Sequence, residues 1–190
     1  DIMTLGSTDR PLSEVYDLAM LDLDGVVYVG PDAVPGAVDS LAQARKSGMR
    51  LAYITNNASR TAAEVASHLR ELRIPDVTDE DVVTSAQAVA HLVADAVPPG
   101  SPVLLVGGEG LRQPLEARGL RCVTSLDDHP RAVVQGFHPE VSWTQLAEAA
   151  YAVGAGVPWF ASNTDRTTPT ARGVAPGNGA LAQAVRNATG

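Results

Sequence analysis

The 190-residue chain is predicted to be an α/β protein with a mostly parallel sheet, and three observations lead there. Short apolar runs alternate with helical patterns from Leu18 to the end; three of the helices open on a capping box; and Gly- or Pro-rich breaks punctuate the alternation. Strands separated by helices need crossover connections, which are right-handed and leave neighbouring strands parallel.

The elements follow in order. Leu18 to Leu21 is an apolar run of four, read as a strand buried on both faces. Val38, Leu41, Ala42 and Arg45 recur at helical spacing, and Gly48 stands where a helix C-cap glycine belongs. Leu51 to Ile54 is a second strand. Thr61 with Glu64 makes a capping box before Val65, Leu69 and Leu72, and Thr84 with Gln87 makes another before Val89, Leu92 and Ala96. After the break Pro98-Pro99-Gly100 come a strand at Val103 to Val106, a short helix at Leu111 to Ala117 and a strand at Leu120 to Thr124. Ala132 to Val134 is a further strand, Ser142 with Gln145 caps a helix through Leu146, Ala149 and Val153, and Pro158 to Ala161 is strand again. Residues 163–179 break the rhythm with prolines, glycines and threonines and read as a long functional loop or interdomain return. A last helix runs from Ala180 to Ala188. Periodicity leaves open whether the stretches before and after Pro98 share one sheet or form two small domains.

Composition narrows the function classes. A 45% hydrophobic content with few aromatics is ordinary for a globular protein. The net charge of −8 and the lack of a Lys/Arg-rich run remove the electrostatic footprint of a nucleic-acid or anionic-membrane binder. No basic stretch followed by an apolar one opens the chain, and no segment approaches the ~20 apolar residues of a membrane-spanning helix, so a cytoplasmic location is expected. The single cysteine, Cys122, has no partner for an internal disulfide, which fits a reducing compartment. His68, His91, His129 and His138 form no metal-type cluster in sequence and take a structural reading.

Chemistry concentrates at the end of the first strand. Asp22-Leu23-Asp24-Gly25 places two carboxylates two residues apart, pointing the same way in an extended segment, and buried ionised acids need a compensating cation, hydrogen bonds or reacting group. Asp24-Gly25 also reads as a plain hairpin turn. A calcium loop of the helix-loop-helix type is excluded, because position twelve counted from Asp22 is Ala33 rather than Glu. Thr55-Asn56-Asn57 ends the second strand; alone it is a turn leading to the Thr61 cap, but strand ends of a parallel sheet share a crevice, where a hydroxyl and amides would face the two acids. A dinucleotide fingerprint is not matched at Gly107 to Gly110, since Gln113 stands where the last glycine is needed.

Asp22-Leu-Asp24-Gly-Val-Val-Tyr, Thr55-Asn56-Asn57-Ala-Ser59-Arg60, Asn163-Thr-Asp165 and Pro176-Gly-Asn-Gly-Ala together resemble the haloacid dehalogenase superfamily, and within it the phosphatases with a large α/β cap. The resemblance runs from Asp17 to Gly190. It implies a Rossmann-like core with parallel strands over residues 1–83, an inserted α/β cap over 84–176, and a return to the core at 177–190. It implies a phosphomonoester hydrolase in which Asp22 is the nucleophile, Asp24 the general acid and base, and Thr55 a donor to the phosphoryl oxygens. It further implies Mg²⁺ held by Asp22 and Asp24, and Asn56, Asn57, Ser59 and Arg60 at the substrate mouth, with Arg166 and Thr168 toward the leaving group. The expected substrate is a small phosphorylated metabolite, with glycerol phosphate first, and cap faces in this family often form homodimers. Ala58 stands where family members often carry serine.

The family's lysine motif and its acidic loop lie downstream of the region matched by Ala180 to Gly190, so the core is expected to be incomplete, and the chain itself nearly inactive, as a fragment of an intact phosphatase. The alternative is a complete, catalytically silent module that binds a phosphometabolite or a partner.

Overall fold

A computed structural model describes residues 9–170 and 172–190. Strand β1 (Leu18–Asp22) pairs in parallel with β4 (Arg50–Thr55), which pairs in parallel with β5 (Val82–Thr84), giving a three-stranded sheet in the order β1-β4-β5. Between β1 and β4 lie a two-residue-per-arm hairpin, β2 (Tyr28–Val29) with β3 (Asp32–Ala33), and helix α1 (Ala37–Lys46). Helix α2 (Ala62–Glu71) follows β4, started by the Thr61–Glu64 capping box that the spacing predicts. Leu41 of α1 and Val65 and Leu69 of α2 bury Leu51 and Tyr53 of β4 beneath them.

The second unit is a four-stranded parallel sheet in the order β7-β6-β8-β9, built from β6 (Pro102–Val106), β7 (Arg121–Val123), β8 (Ala132–Gln135) and β9 (Trp159–Ala161). Two separate sheets therefore flank the Pro98 break. Side chains alternate along each strand, so β6 sends Val103 and Leu105 to one face and Leu104 and Val106 to the other. Helices α3 (Ser85–Ala96) and α4 (Glu109–Ala117) cover the first face. Helices α5 (Trp143–Gly154) and α6 (Asn178–Thr189) cover the second. The predicted capping boxes at Thr84–Gln87 and Ser142–Gln145 are both formed.

Four expectations change. The strand at Leu18 is covered on one face only: Leu23 beyond it is buried, but Met20 is 70% exposed, because among the described residues no helix packs on the side of the sheet that Leu18, Met20 and Val83 share. The three-residue β5 was unmarked in sequence, being too short for a period to show. Residues 163–179 are not one long loop; they contain an antiparallel hairpin, β10 (Thr167–Thr170) with β11 (Gly173–Pro176), whose threonines, prolines and glycine disguise it. Residues 177–190, expected to rejoin the first unit, form α6, whose Val185 packs into the cluster of the four-stranded sheet beside α5.

Candidate active site

Asp22 closes β1 and Thr55 closes β4, adjacent parallel strands with Asp22 in register with Ile54, so both site segments leave the sheet at the same carboxyl edge. Beyond Asp22 the backbone makes a tight turn: the Leu23 carbonyl accepts from the N–H groups of Val26, Val27 and Tyr28, and Gly25 adopts φ +84°, which favours glycine. That turn buries Leu23 and leaves Asp22 and Asp24 facing outward. The Asp22 Oδ1 accepts from the Leu23 N–H at 2.8 Å.

Two adjoining clefts meet here. The first, about 260 Å³, takes Asp22, Asp24 and Asn56 from the first unit and Phe137, Asn163 and Asp165 from the second, with Thr168 of β10 on its wall. The second, about 530 Å³, takes Tyr28, Thr55 and Arg60, and shares Asp24, Asn57 and Pro169 with the first. Asp22 thus lines the first cleft and Thr55 the second, with Asp24 and Asn57 on the wall between them. Ser59 and Arg166 line neither cleft. The Ser59 backbone is pressed against Gly110 of α4, and Arg166 is an exposed loop residue whose carbonyl accepts from Gly177.

Electrostatics follow from this crowding. Burial, and then the charge of Asp22, push the Asp24 carboxyl above the usual carboxylate range against the opposing pull of Arg60 and His68. Burial and Asp24 push the Tyr28 phenol up to about 12, and its ring meets His68 edge-on with centroids 4.9 Å apart. Among the described residues no group of three or more His, Cys, Asp or Glu side chains could enclose a metal ion. The Asp22 carboxylate and the Asp24 backbone carbonyl are hard oxygen donors of the kind Mg²⁺ accepts, since it commonly takes one or two carboxylates and keeps waters in the remaining positions.

The Asn56 loop is fastened from the second unit. Its carbonyl accepts from Asn163 Nδ2 at 2.8 Å and from Ser85 Oγ at 2.6 Å, and its side-chain amide donates to Asp165. The Asn57 N–H donates to Thr55 Oγ1 and the Ser59 N–H to Asn57 Oδ1, which sets the turn after β4. Ala58 is fully buried in the cluster under α3 and α4, where a hydroxyl would enter an apolar layer. Two lining residues carried no sequence signal as ligands: Phe137, a lone aromatic after β8, and Tyr28, the first residue of the small hairpin. Asn163, Asp165 and Asn178 belong to motifs legible in the sequence, but their place in the cleft was not.

Known proteins share this sequence pattern and fold. Residues 19–121 match the family of haloacid dehalogenase-like hydrolases. The chain is 49% identical over 181 residues to the D-glycerol 3-phosphate phosphatase of Mycobacterium tuberculosis, covering 95% of this chain and 50% of that protein. It is 37% identical over 175 residues to an acid sugar phosphatase of Staphylococcus aureus, covering 92% and 66%. Among solved structures it resembles the M. tuberculosis glycerol phosphate phosphatase in complex with magnesium, with a TM-score of 0.88 and 49% identity over 93% of this chain and 53% of that one. It also resembles a Thermotoga maritima 4-nitrophenylphosphatase, with a TM-score of 0.84 and 26% identity over 95% and 67%. The chain spans about half the length of the glycerol phosphate phosphatase it matches. Among the described residues no helix is long and apolar enough to cross a membrane. More than half of the chain fits the family's pattern, and the fold agrees over nearly all of it: the chain belongs to the haloacid dehalogenase-like hydrolases.

Proposed function

We propose that the protein containing this chain is a Mg²⁺-dependent phosphomonoester hydrolase that works through an aspartyl-phosphate and acts on a small organophosphate such as glycerol 3-phosphate. The observation that carries this reading is the meeting of Asp22, Asp24 and Asn56 in one cleft at the carboxyl ends of adjacent parallel strands, with Thr55 in the adjoining cleft that shares Asp24 and Asn57. The relatives named above support the substrate class.

In this reaction an Asp22 carboxylate oxygen forms a bond to phosphorus while the bond from phosphorus to the ester oxygen breaks, its electron pair leaving with that oxygen. Asp24 gives the departing alkoxide a proton, which its raised affinity for protons favours. Asp24 then takes a proton from water as the water oxygen attacks phosphorus, and the Asp22–phosphorus linkage breaks to return the carboxylate and inorganic phosphate. Thr55 and the Asn56 N–H hold the phosphoryl oxygens, and Asn57, Arg60 and Thr168 border the space for the rest of the substrate. Mg²⁺ held by the Asp22 carboxylate and the Asp24 backbone carbonyl would neutralise charge between the carboxylate and the phosphoryl group and leave the Asp24 carboxyl to move the proton.

The test is hydrolysis of nitrophenyl phosphate by the native polypeptide with Mg²⁺. Asp22→Asn, which removes the nucleophile and keeps its shape, is expected to lower kcat by about 10³-fold or more. Turnover that is unchanged in that variant refutes the mechanism.

A further inference from the structure

The peptide that joins Asn56 to Asn57 is held at both of its polar ends. Its carbonyl accepts from Asn163 Nδ2 at 2.8 Å and from Ser85 Oγ at 2.6 Å, two donors that lie outside the three-stranded sheet. Its N–H donates to Thr55 Oγ1 at 3.1 Å. A peptide unit is planar, so a carbonyl that swings away takes the N–H with it. The two donors on the carbonyl therefore also govern what reaches the Thr55 oxygen.

Asn163 is itself placed by its neighbours. Its Oδ1 accepts from the Asp165 N–H at 3.2 Å, which turns its NH2 group toward the Asn56 carbonyl, and its own carbonyl accepts from Asn178 Nδ2 at 2.8 Å. Asn178 is 1% exposed and opens α6. Gly179 lets α6 come this close, because a Cβ there would strike the Thr164 carbonyl, and its N–H donates to the Asp165 carbonyl at 2.8 Å. A run of hydrogen bonds thus leads from α6 through Asn163 and one peptide plane to the hydroxyl that ends β4.

A hydroxyl has one hydrogen and two lone pairs. The Asn57 N–H fills a lone pair of Thr55 from behind, and among the described residues nothing accepts the Thr55 hydrogen. Thr55 is 3% exposed and lines the second cleft beside Asp24. Its one free donor is available to a ligand oxygen there.

We propose that Asn163 and Ser85 are positioning residues for phosphoryl transfer: by fixing the peptide between Asn56 and Asn57 they hold the Thr55 hydroxyl as a donor to the transferring group. The proposal rests on the phosphatase reading and adds to it the residues through which Thr55 acts. A donor oriented before the reaction costs no reorganisation when charge develops on the phosphoryl oxygens.

The experiment is a double-mutant cycle on the native polypeptide, with nitrophenyl phosphate and Mg²⁺. Thr55→Val, which keeps the shape and removes the hydroxyl, is expected to lower kcat about 10²-fold. Asn163→Ala is expected to lower kcat about tenfold with KM changed by less than about twofold, and Ser85→Ala to lower kcat about threefold; the latter serves if Asn163→Ala folds poorly. Combined with Thr55→Val, neither is expected to slow the enzyme further, because no hydroxyl is left to position, whereas a merely structural role would multiply the losses. Multiplying losses, wild-type kcat in both Asn163→Ala and Ser85→Ala, or wild-type kcat in Thr55→Val overturns the inference and leaves the phosphatase reading standing. A wild type that does not hydrolyse nitrophenyl phosphate overturns both.

Discussion

The two parallel sheets follow the same strand–helix alternation and end in opposite states. In the four-stranded sheet every strand of the middle pair is buried on both faces, with α3 and α4 on one side and α5 and α6 on the other. In the three-stranded sheet α1 and α2 share one side, and Met20, Leu18 and Val83 look outward from the other. The difference teaches that a strand's apolar content does not set how many of its faces are covered. Among the described residues α6 packs on the four-stranded sheet and not on the open face of the three-stranded one. Asp22 and Asp24 therefore rise from the less covered sheet, and their neighbour Asn56 is hydrogen-bonded from across the boundary by Ser85, Asn163 and Asp165.

The sharpest way to break this comparison is a matched pair of truncations. Leu104→Ala, in the doubly covered sheet, is expected to cost about 2–5 kcal/mol in denaturant unfolding, the range for a buried leucine whose cavity does not fully collapse. Met20→Ser, on the open face, is expected to stay within about 0.5 kcal/mol. Comparable losses at the two sites would mean that something covers Met20 in solution.

The boundary itself is tested by Gly110→Ala. Alanine in a helix ordinarily adds stability, but here its Cβ would lie 2.5 Å from the Ala58 carbonyl and 2.7 Å from the Arg60 nitrogen, so a net loss of about 1–3 kcal/mol is expected, with weakened phosphate binding because the 55–60 turn must shift. Retained stability together with unchanged KM would show that the two units are not pressed together at that point.

A smaller effect belongs to the three-stranded sheet alone. Asp81 accepts from the Thr78 N–H at 2.8 Å, the Thr78 hydroxyl at 3.0 Å and Arg45 at 3.4 Å; these outweigh its burial and hold its carboxyl below the usual range. A depressed carboxylate contributes stability that is present above the ordinary carboxylate range and is lost as pH falls through its folded value. Asp81→Asn is thus expected to cost about 1 kcal/mol near neutrality and progressively less in acid, where the two proteins converge. A difference that persists unchanged at low pH would point to packing rather than charge.

The legible parts of the molecule were those whose cause lies within a few residues. Thr61–Glu64, Thr84–Gln87 and Ser142–Gln145 announce their helices because a capping box closes over three positions. Asp22 and Asp24, and Thr55 with Asn56 and Asn57, stood out because polar groups end apolar runs, and the parallel strands then bring them to one edge. The hairpin at Thr167 to Pro176 was not legible, since its pairing is with itself across a turn and its proline-rich strands lack an apolar alternation. By itself the sequence determined the α/β alternation, the three capping-box helix starts and the acid pair. The tertiary structure alone decided which sheet received α6, that Phe137 and Tyr28 line the clefts, and that Asp165 reaches Asn56, because contacts between residues 109 positions apart leave no local periodicity to read.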